Sequence, residues 1–312
     1  ESAKGKTRIV STLKGIGPAY TDKYGRSGLR VGDLAGQNFR ERYHALRDTH
    51  LEMMDRLGFD HGAHLLDGLS YAAYEEKWLE AAVRMKGLRI IDSEGFLNTA
   101  LDRGMKVLAE GAQGTMLDVD FGSYPYVTSS NTFTAGVCSG LGISPHRIGR
   151  IYGVFKAYCT RVGNGPFPTE LSDETGERLR VRGNEFGSTT GRPRRCGWLD
   201  LPALMYAIMV NGVDSLLMMK TDVLDPFASI RVATGYLSEG TLLGGFPFDL
   251  GEEGLAPQYE ELPGWNCSLE ELKTWDGIPA ALQSYIGFIE QHTGLPVEMV
   301  SVGPDRTQTL VR

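Results

Sequence analysis

The densest chemistry in the chain lies in Asn184-Glu185-Phe186-Gly187-Ser188-Thr189-Thr190-Gly191-Arg192-Pro193-Arg194-Arg195. A turn of small hydroxylated residues runs straight into three arginines within four positions. Guanidinium groups carry forked donors that match carboxylate and phosphate oxygens, and glycine lets an anion approach the backbone. The segment reads as an anion site in preference to a solvated basic turn. Lys220-Thr221-Asp222 closes an apolar run, Ser215 to Met219. A Lys-x-Asp at a strand end resembles the guanine reader of GTP-binding proteins. The carboxylate accepts from two N–H donors on the purine's Watson–Crick edge, and the lysine stem covers the ring face. Adenine lacks that donor pair and would leave the carboxylate desolvated and unpaired, at a cost of about 1–3 kcal/mol. Taken alone, the tripeptide is better explained as an ordinary strand-end charge pair.

Two further segments hold polar groups beside glycine. In Glu110-Gly111-Ala112-Gln113-Gly114-Thr115 the Gln113 amide offers donor and acceptor together, suited to a base edge or a developing oxyanion; read in isolation, it is a turn. Ser11-Thr12-Leu13-Lys14-Gly15-Ile16-Gly17-Pro18 sets hydroxyls beside a glycine-rich turn, with Lys23 and Arg26 close behind, and could hold a phosphate. Gly5-Lys6-Thr7 resembles the tail of a phosphate-binding P-loop, but Arg8-Ile9-Val10 after it is strand-like where a helix should follow.

Elements must bring these segments together. The 312 residues, 41% hydrophobic and 23% charged, suit one large domain or two modest ones with a sizeable core, and exclude disorder of the whole chain. A net charge of −7 and a pI near 5.5 argue against a general nucleic-acid binder, whose basic residues would gather on one face. The longest apolar stretch, Trp198 to Met219, is interrupted by Asp200, Pro202, Asn211 and Asp214, so no membrane span is expected. The opening residues do not read as a signal peptide, and Cys138, Cys159, Cys196 and Cys267 are too scattered for a zinc motif; reduced thiols in the cytoplasm are the expectation.

Periodicity predicts helices over 40–58 and 71–86. Their stripes, Leu46, His50, Met53, Met54 and Leu57, then Tyr71, Tyr74, Trp78, Ala82 and Met85, read as core packing. His44, His50, His61 and His64 read as surface histidines without partners. Strands are expected at Met105–Ala109, Ile151–Arg161, Ser215–Met219, Ile230–Tyr236 and Val297–Ser301, with helices at Asp200–Asn211 and Pro279–His292. Leu237–Tyr259 reads as a surface excursion. The alternation implies an α/β fold with a largely parallel central sheet, flanking helices and long ligand-binding loops. In such sheets ligands bind beyond the carboxyl ends of the strands.

The segments together resemble the adenylosuccinate synthetases. The likeness rests on Gly15-Ile16-Gly17-Pro18-Ala19-Tyr20, Glu110 to Thr115, Tyr124-Pro125-Tyr126-Val127-Thr128-Ser129-Ser130-Asn131-Thr132 and Gly165-Pro166-Phe167-Pro168-Thr169-Glu170-Leu171. It continues in Glu185 to Arg192, Lys220-Thr221-Asp222 and Gly303-Pro304-Asp305-Arg306-Thr307, and so spans almost the whole chain. The resemblance implies a P-loop-NTPase-like topology in one domain over 1–312, with a helical subregion near 38–104 and an α/β core near 105–312. It implies a cytoplasmic, GTP-dependent ligase: GTP phosphorylates the 6-oxygen of IMP, and the amino group of L-aspartate then displaces phosphate. IMP would meet Thr12, Arg26, Gln113, Thr128 and Arg192, with Gln113 stabilising charge on the 6-oxygen as the catalytic residue present here. Arg26 would reach the neighbouring subunit's site, which implies a homodimer. Aspartate would meet Ser188, Thr189, Thr190, Gly191, Arg192 and Arg194. GTP would meet Arg194, Lys220, Thr221, Asp222, Ser301, Val302 and Gly303. No nucleic acid or membrane partner is implied.

Two departures bear on these expectations. Leu13-Lys14 stands where the family usually has Gly-Arg beside the phosphate-binding threonine. The family's opening segment has no counterpart in these residues. It carries a Gly-Asp-Glu-Gly-Lys-Gly phosphate loop, the Asp that acts as base and ligates Mg2+, and the His that acts as acid. Other readings are a non-catalytic nucleotide-binding module and a synthetase acting on another purine monophosphate. The expectation is that this polypeptide alone binds its ligands weakly and does not catalyse, since loss of an acid–base partner removes about 10²–10⁴ in rate. An assay of adenylosuccinate formation from IMP, GTP and L-aspartate checks it, and normal turnover would contradict it.

Overall fold

The computed structural model describes Gly5, Ile9, residues 11–187 and residues 191–312. The strand expected at Arg8-Ile9-Val10 lies largely outside these residues. The chain divides into two compact units, one of residues 1–7, 13–108 and 141–143, the other of 8–12, 109–140 and 144–312.

The first unit is helical. Helix α1 (Ile16–Gly25) starts after Gly15 and ends at Arg26, whose left-handed backbone (φ 64°) returns its N–H to the Asp22 and Lys23 carbonyls. Helices α2 (Phe39–Arg56), α3 (Tyr71–Met85) and α4 (Ser93–Asp102) follow. Its core is small, built on Leu34, Phe39 and Ala82 with Leu29 and Leu79 against them. That size corrects the reading of the α2 and α3 stripes as core. Of those ten residues only Ala82 is buried, and Leu57 is 61% exposed. Apolar area here goes into ring stacking instead, with Tyr43 and Trp78 centroids 4.8 Å apart. The histidines are corrected too. His50 Nε2 lies 2.8 Å from Asp22 Oδ2, and His61 Nε2 3.4 Å from Asp55 Oδ1.

The second unit holds all but the last residue of α5 (Ala135–Leu141), and the sheets. Strand β1 (Tyr152–Lys156) is followed by β2 (Cys159–Arg161), α6 (Glu174–Arg182), β3 (Arg195–Gly197) and β4 (Leu199–Asp200). Helix α7 (Leu201–Asn211) starts on the Asp200 carboxylate, which accepts from the Ala203 amide at 3.1 Å. Then come β5 (Ser215–Met219), β6 (Ser229–Ser238), β7 (Thr241–Leu242), β8 (Leu255–Pro263), α8 (Ala280–Thr293), β9 (Val297–Ser301) and β10 (Thr309–Val311).

The central sheet runs β1-β5-β9-β10, with β5 parallel to both β1 and β9, and β10 antiparallel at the edge. A second sheet sets short β4 parallel to β6, and β6 antiparallel to β7 and β8. The fold is thus α/β with a largely parallel central sheet. With Leu216 and Met218 fully buried on one face and Leu217 and Met219 half-buried on the other, β5 reads in sequence as a continuous apolar run rather than an alternating one. One core joins Leu216 and Met218 of β5 to Val297 and Val300 of β9 and to Leu282, Tyr285 and Ile289 of α8.

Three expected elements differ. Met105–Ala109 is not a strand; among the described residues nothing pairs with it, and Leu108 is 88% exposed. Its first amide, that of Met105, closes the end of α4 by donating to the Ala100 carbonyl at 3.1 Å. Ile151–Arg161 is two strands, because Ala157 and Tyr158 between them turn into the core, where Tyr285 Oη donates to the Ala157 carbonyl at 2.6 Å. Leu237–Tyr259 is not all excursion, since Leu255 to Tyr259 pairs with β6.

Leu216 is fully buried between β1 and β9. Leu216→Ala should therefore lower unfolding free energy by about 2–5 kcal/mol, whereas Leu108→Ala should change it by no more than about 0.5 kcal/mol. Urea unfolding of both variants distinguishes them.

Candidate active site

Two adjacent parallel strands end together. At the end of β5, Lys220 adopts a left-handed backbone (φ 63°) that turns the chain sharply. Its amide donates to Ser301 Oγ at 3.2 Å, and the buried Thr221 hydroxyl donates to the Ser301 carbonyl at 2.6 Å. Ser301 Oγ in turn donates to the Gly303 carbonyl at 3.3 Å, and the Val302 amide to the Gln308 carbonyl at 2.9 Å. Lys220, Thr221, Asp222, Ser301, Val302 and Gly303, eighty positions apart in sequence, therefore form one wall. Asp222 is half-buried, and its main-chain carbonyl accepts from Arg182 Nη2 at 2.9 Å. Burial raises the Asp222 carboxyl above the ordinary range, against the opposing pull of its own backbone, Lys220 and Arg182.

The described residues on either side of positions 188–190 are tied to one another. The Gly187 amide donates to the Arg192 carbonyl at 2.8 Å, the Gly191 amide to the Gly187 carbonyl at 2.7 Å, and the Arg194 amide to the Glu185 carbonyl at 2.8 Å. Gly191 takes φ 63°, a conformation a side chain would strain. Ser188, Thr189 and Thr190 lie outside the described residues. Arg192 and Arg194 are half-buried. Arg195 is committed elsewhere: Nε donates to Glu170 Oε1 at 2.7 Å and Nη1 to the Gly165 carbonyl at 2.8 Å. Neighbouring Arg194 and Arg195 thus differ in partner.

The turn and the strand ends meet on Glu185. This carboxylate is wholly buried and accepts from Lys156 Nζ (2.8 Å), Tyr158 Oη (2.5 Å), Lys220 Nζ (3.1 Å) and Arg194 Nη1 (2.6 Å). Burial alone would raise its pKa. The Lys156, Tyr158 and Arg194 contacts outweigh that and bring it down to about 2. Lys156 is pushed below the usual lysine range, chiefly by burial. Sequence reasoning quoted Glu185 within its motif but gave it no role. The available signal was a lone acid beside a basic turn, with lysines ending two apolar runs.

A separate network holds the loops of Gln113 and Thr128. The buried Asp118 accepts from the Thr132 amide (2.5 Å), the Asp120 amide (2.9 Å) and the Phe121 amide (3.1 Å). Thr132 Oγ1 donates to the Gly114 carbonyl at 2.8 Å, and the Thr128 amide to the Leu117 carbonyl at 2.8 Å. Asn211 Nδ2 donates to Thr115 Oγ1 at 2.9 Å. Gln113 follows in a left-handed backbone (φ 61°) with its side chain exposed. Thr12 is exposed, as is Arg26 at the end of α1 in the helical unit. Among the described residues no group of three or more His, Cys, Asp or Glu is gathered to hold a metal ion, and no helix is long and apolar enough to cross a membrane.

Residues 1–310 match the family model described as adenylosuccinate synthetase. The chain belongs to the adenylosuccinate synthetase family. An adenylosuccinate synthetase of Cytophaga hutchinsonii is 51% identical over 313 residues, spanning 100% of this chain and 71% of that relative. One of Porphyromonas gingivalis is 52% identical over 312 residues, spanning 100% of this chain and 72% of that relative. The solved structure of a fully ligated adenylosuccinate synthetase from Plasmodium falciparum superposes with a TM-score of 0.90 at 38% identity, covering 100% of this chain and 72% of that one. Membership makes this an enzyme, a GTP-dependent ligase of AMP biosynthesis that joins IMP and L-aspartate. The readings as a non-catalytic module or a synthetase for another purine are not favoured.

Because the folded pKa of Glu185 lies below its ordinary value of 4.5, the stabilisation it gives is complete above pH 4.5 and is lost as pH falls toward 2. In acid titrations followed by urea unfolding, Glu185→Gln should be less stable at neutral pH and show a flatter decline between pH 4.5 and 2. An unchanged slope would contradict the assignment.

Proposed function

We propose that the wall of Lys220, Thr221, Asp222, Ser301, Val302 and Gly303 holds the guanine of GTP, and that Arg192, Gly191 and Arg194, with Ser188, Thr189 and Thr190, receive L-aspartate. The observation that carries this reading is the convergence on Glu185 of Arg194 from the turn and Lys220 from the strand end, which puts an anion clamp beside a purine reader. Asp222 would accept from the two N–H donors on guanine, and Arg194 would also touch GTP. IMP would be held by Thr12, Arg26, Gln113, Thr128 and Arg192.

In the reaction so assigned, the γ-phosphoryl group of GTP passes to the 6-oxygen of IMP. The aspartate amino nitrogen then forms its bond to C6 as the C6–O bond breaks and phosphate leaves. Gln113 donates toward the 6-oxygen as negative charge develops there, a pre-aimed donor of the sort whose loss costs about 10²–10³ in rate. Arg192 and Arg194 hold the aspartate carboxylates and so aim its amine. The family uses Mg2+ with GTP. The described residues do not themselves gather a magnesium site. Arg26 at the exposed end of α1 suits the family's homodimer. Four free cysteine thiols and the biosynthetic relatives suit the cytoplasm.

A desolvated carboxylate left without its donor pair is worth about 1–3 kcal/mol, or 5–150-fold in affinity. Calorimetric titration should therefore show GTP binding more tightly than ATP by a factor in that range, and Asp222→Ala should bring the two affinities together. Equal affinities in the unmodified protein would contradict the reading.

A further inference from the structure

We propose that Glu185 is a positioning residue that sets purine selectivity, by holding Lys220 in place for the base while holding Arg194 at the root of the substrate turn. The inference rests on the guanine reading above and adds a residue to it. Glu185 does not face the base; it acts through the cations it holds.

A free lysine side chain carries substantial rotamer entropy. A stem that is to cover a purine face must give up much of it on binding, unless something orders it beforehand. Here Lys220 Nζ is held at its far end by Glu185 Oε1 at 3.1 Å and by the Gly183 carbonyl, and at its root by the Ser301 hydroxyl. The stem is stretched between two fixed points before any nucleotide arrives. Arg194 is held through Nη1 to the other carboxylate oxygen, which fixes the orientation of its planar fork.

The supporting groups are built in around the carboxylate. Lys156 ends β1, the strand paired with β5 in register Lys156↔Met219, one position before Lys220. Tyr158 places its hydroxyl on Glu185 from the core. Gly183 leaves room for it: a Cβ there would lie 2.3 Å from Tyr158 Oη. Three cations around one buried carboxylate also mean that removing its charge leaves local positive charge in excess, and both triphosphates would feel that excess alike. Selectivity between GTP and ATP would not respond to it, whereas lost placement of Lys220 would lower selectivity directly.

The test is the ratio of ATP to GTP dissociation constants, measured by calorimetry in the unmodified protein, Glu185→Gln and Glu185→Asp, with Tm recorded for each. Glu185→Gln should lower the ratio by about tenfold, as loss of a hydrogen bond to a charged group allows, through weaker GTP binding and without weaker ATP binding. Glu185→Asp, which keeps the charge, should restore part of the ratio. A preference for GTP that survives intact in Glu185→Gln overturns this inference and leaves the guanine reading standing. No preference in the unmodified protein overturns both. Should Glu185→Gln fail to fold, Tyr158→Phe withdraws one donor and keeps the ring in the core; a smaller fall in the same ratio is expected there, and an unchanged ratio overturns the inference.

Discussion

A carboxylate with no solvent exposure cannot remain charged unless cations and donors surround it, because the water it gave up must be replaced. Glu185 is such a group, and meeting its requirement fixes where three parts of the chain can go. The end of β1 must bring Lys156, the end of β5 must bring Lys220, and the turn after α6 must fold back to bring Arg194. The parallel pairing of β1 with β5 delivers the two lysines to the same edge of the sheet, where α/β folds leave room for ligands. Replacing one partner would leave the others with charge unbalanced in a poorly solvated place, so the cluster stands or falls together.

The same logic separates arginines that look alike in sequence. Arg195 is held by Glu170 and the carbonyl of Gly165, which ties the start of β3 to the loop after β2. Arg194, one residue earlier, points the other way and serves Glu185. Alternation along an extended chain sends neighbours to opposite faces, and the partner waiting on each face decides the role. Asp118 organises the Gln113 and Thr128 loops with backbone amides rather than cations, leaving the Gln113 side chain to face outward.

The elements most legible in the sequence were those with a strong local signal. The capped helix α7, the apolar strands β5 and β9 and the helix α8 all lie within a residue or two of where their patterns put them. Partners are not a local property, and the misses follow from that. Met105–Ala109 has strand-like composition but no neighbour to pair with among the described residues. The stripes of α2 and α3 have helical period but a core too small to bury them. Lys220-Thr221-Asp222 and Ser301 to Gly303 each look ordinary alone; their meaning comes from the β5–β9 pairing across eighty positions. Glu185 was harder still, since a single acid carries no period at all and two of its three cations, Lys156 and Lys220, come from segments that topology alone unites.

The central claim is that the guanine reader and the aspartate clamp are parts of one site built around a common buried anchor. A crystal structure of the protein with a guanine nucleotide and L-aspartate tests it most directly. The account predicts the base between Lys220 and Ser301 to Gly303, with the Asp222 carboxylate accepting from its N1–H and 2-amino groups. It further predicts an aspartate carboxylate on Arg192 and Arg194 while Arg194 remains bonded to Glu185. A base seated away from Asp222, or an aspartate bound without either arginine, would contradict it.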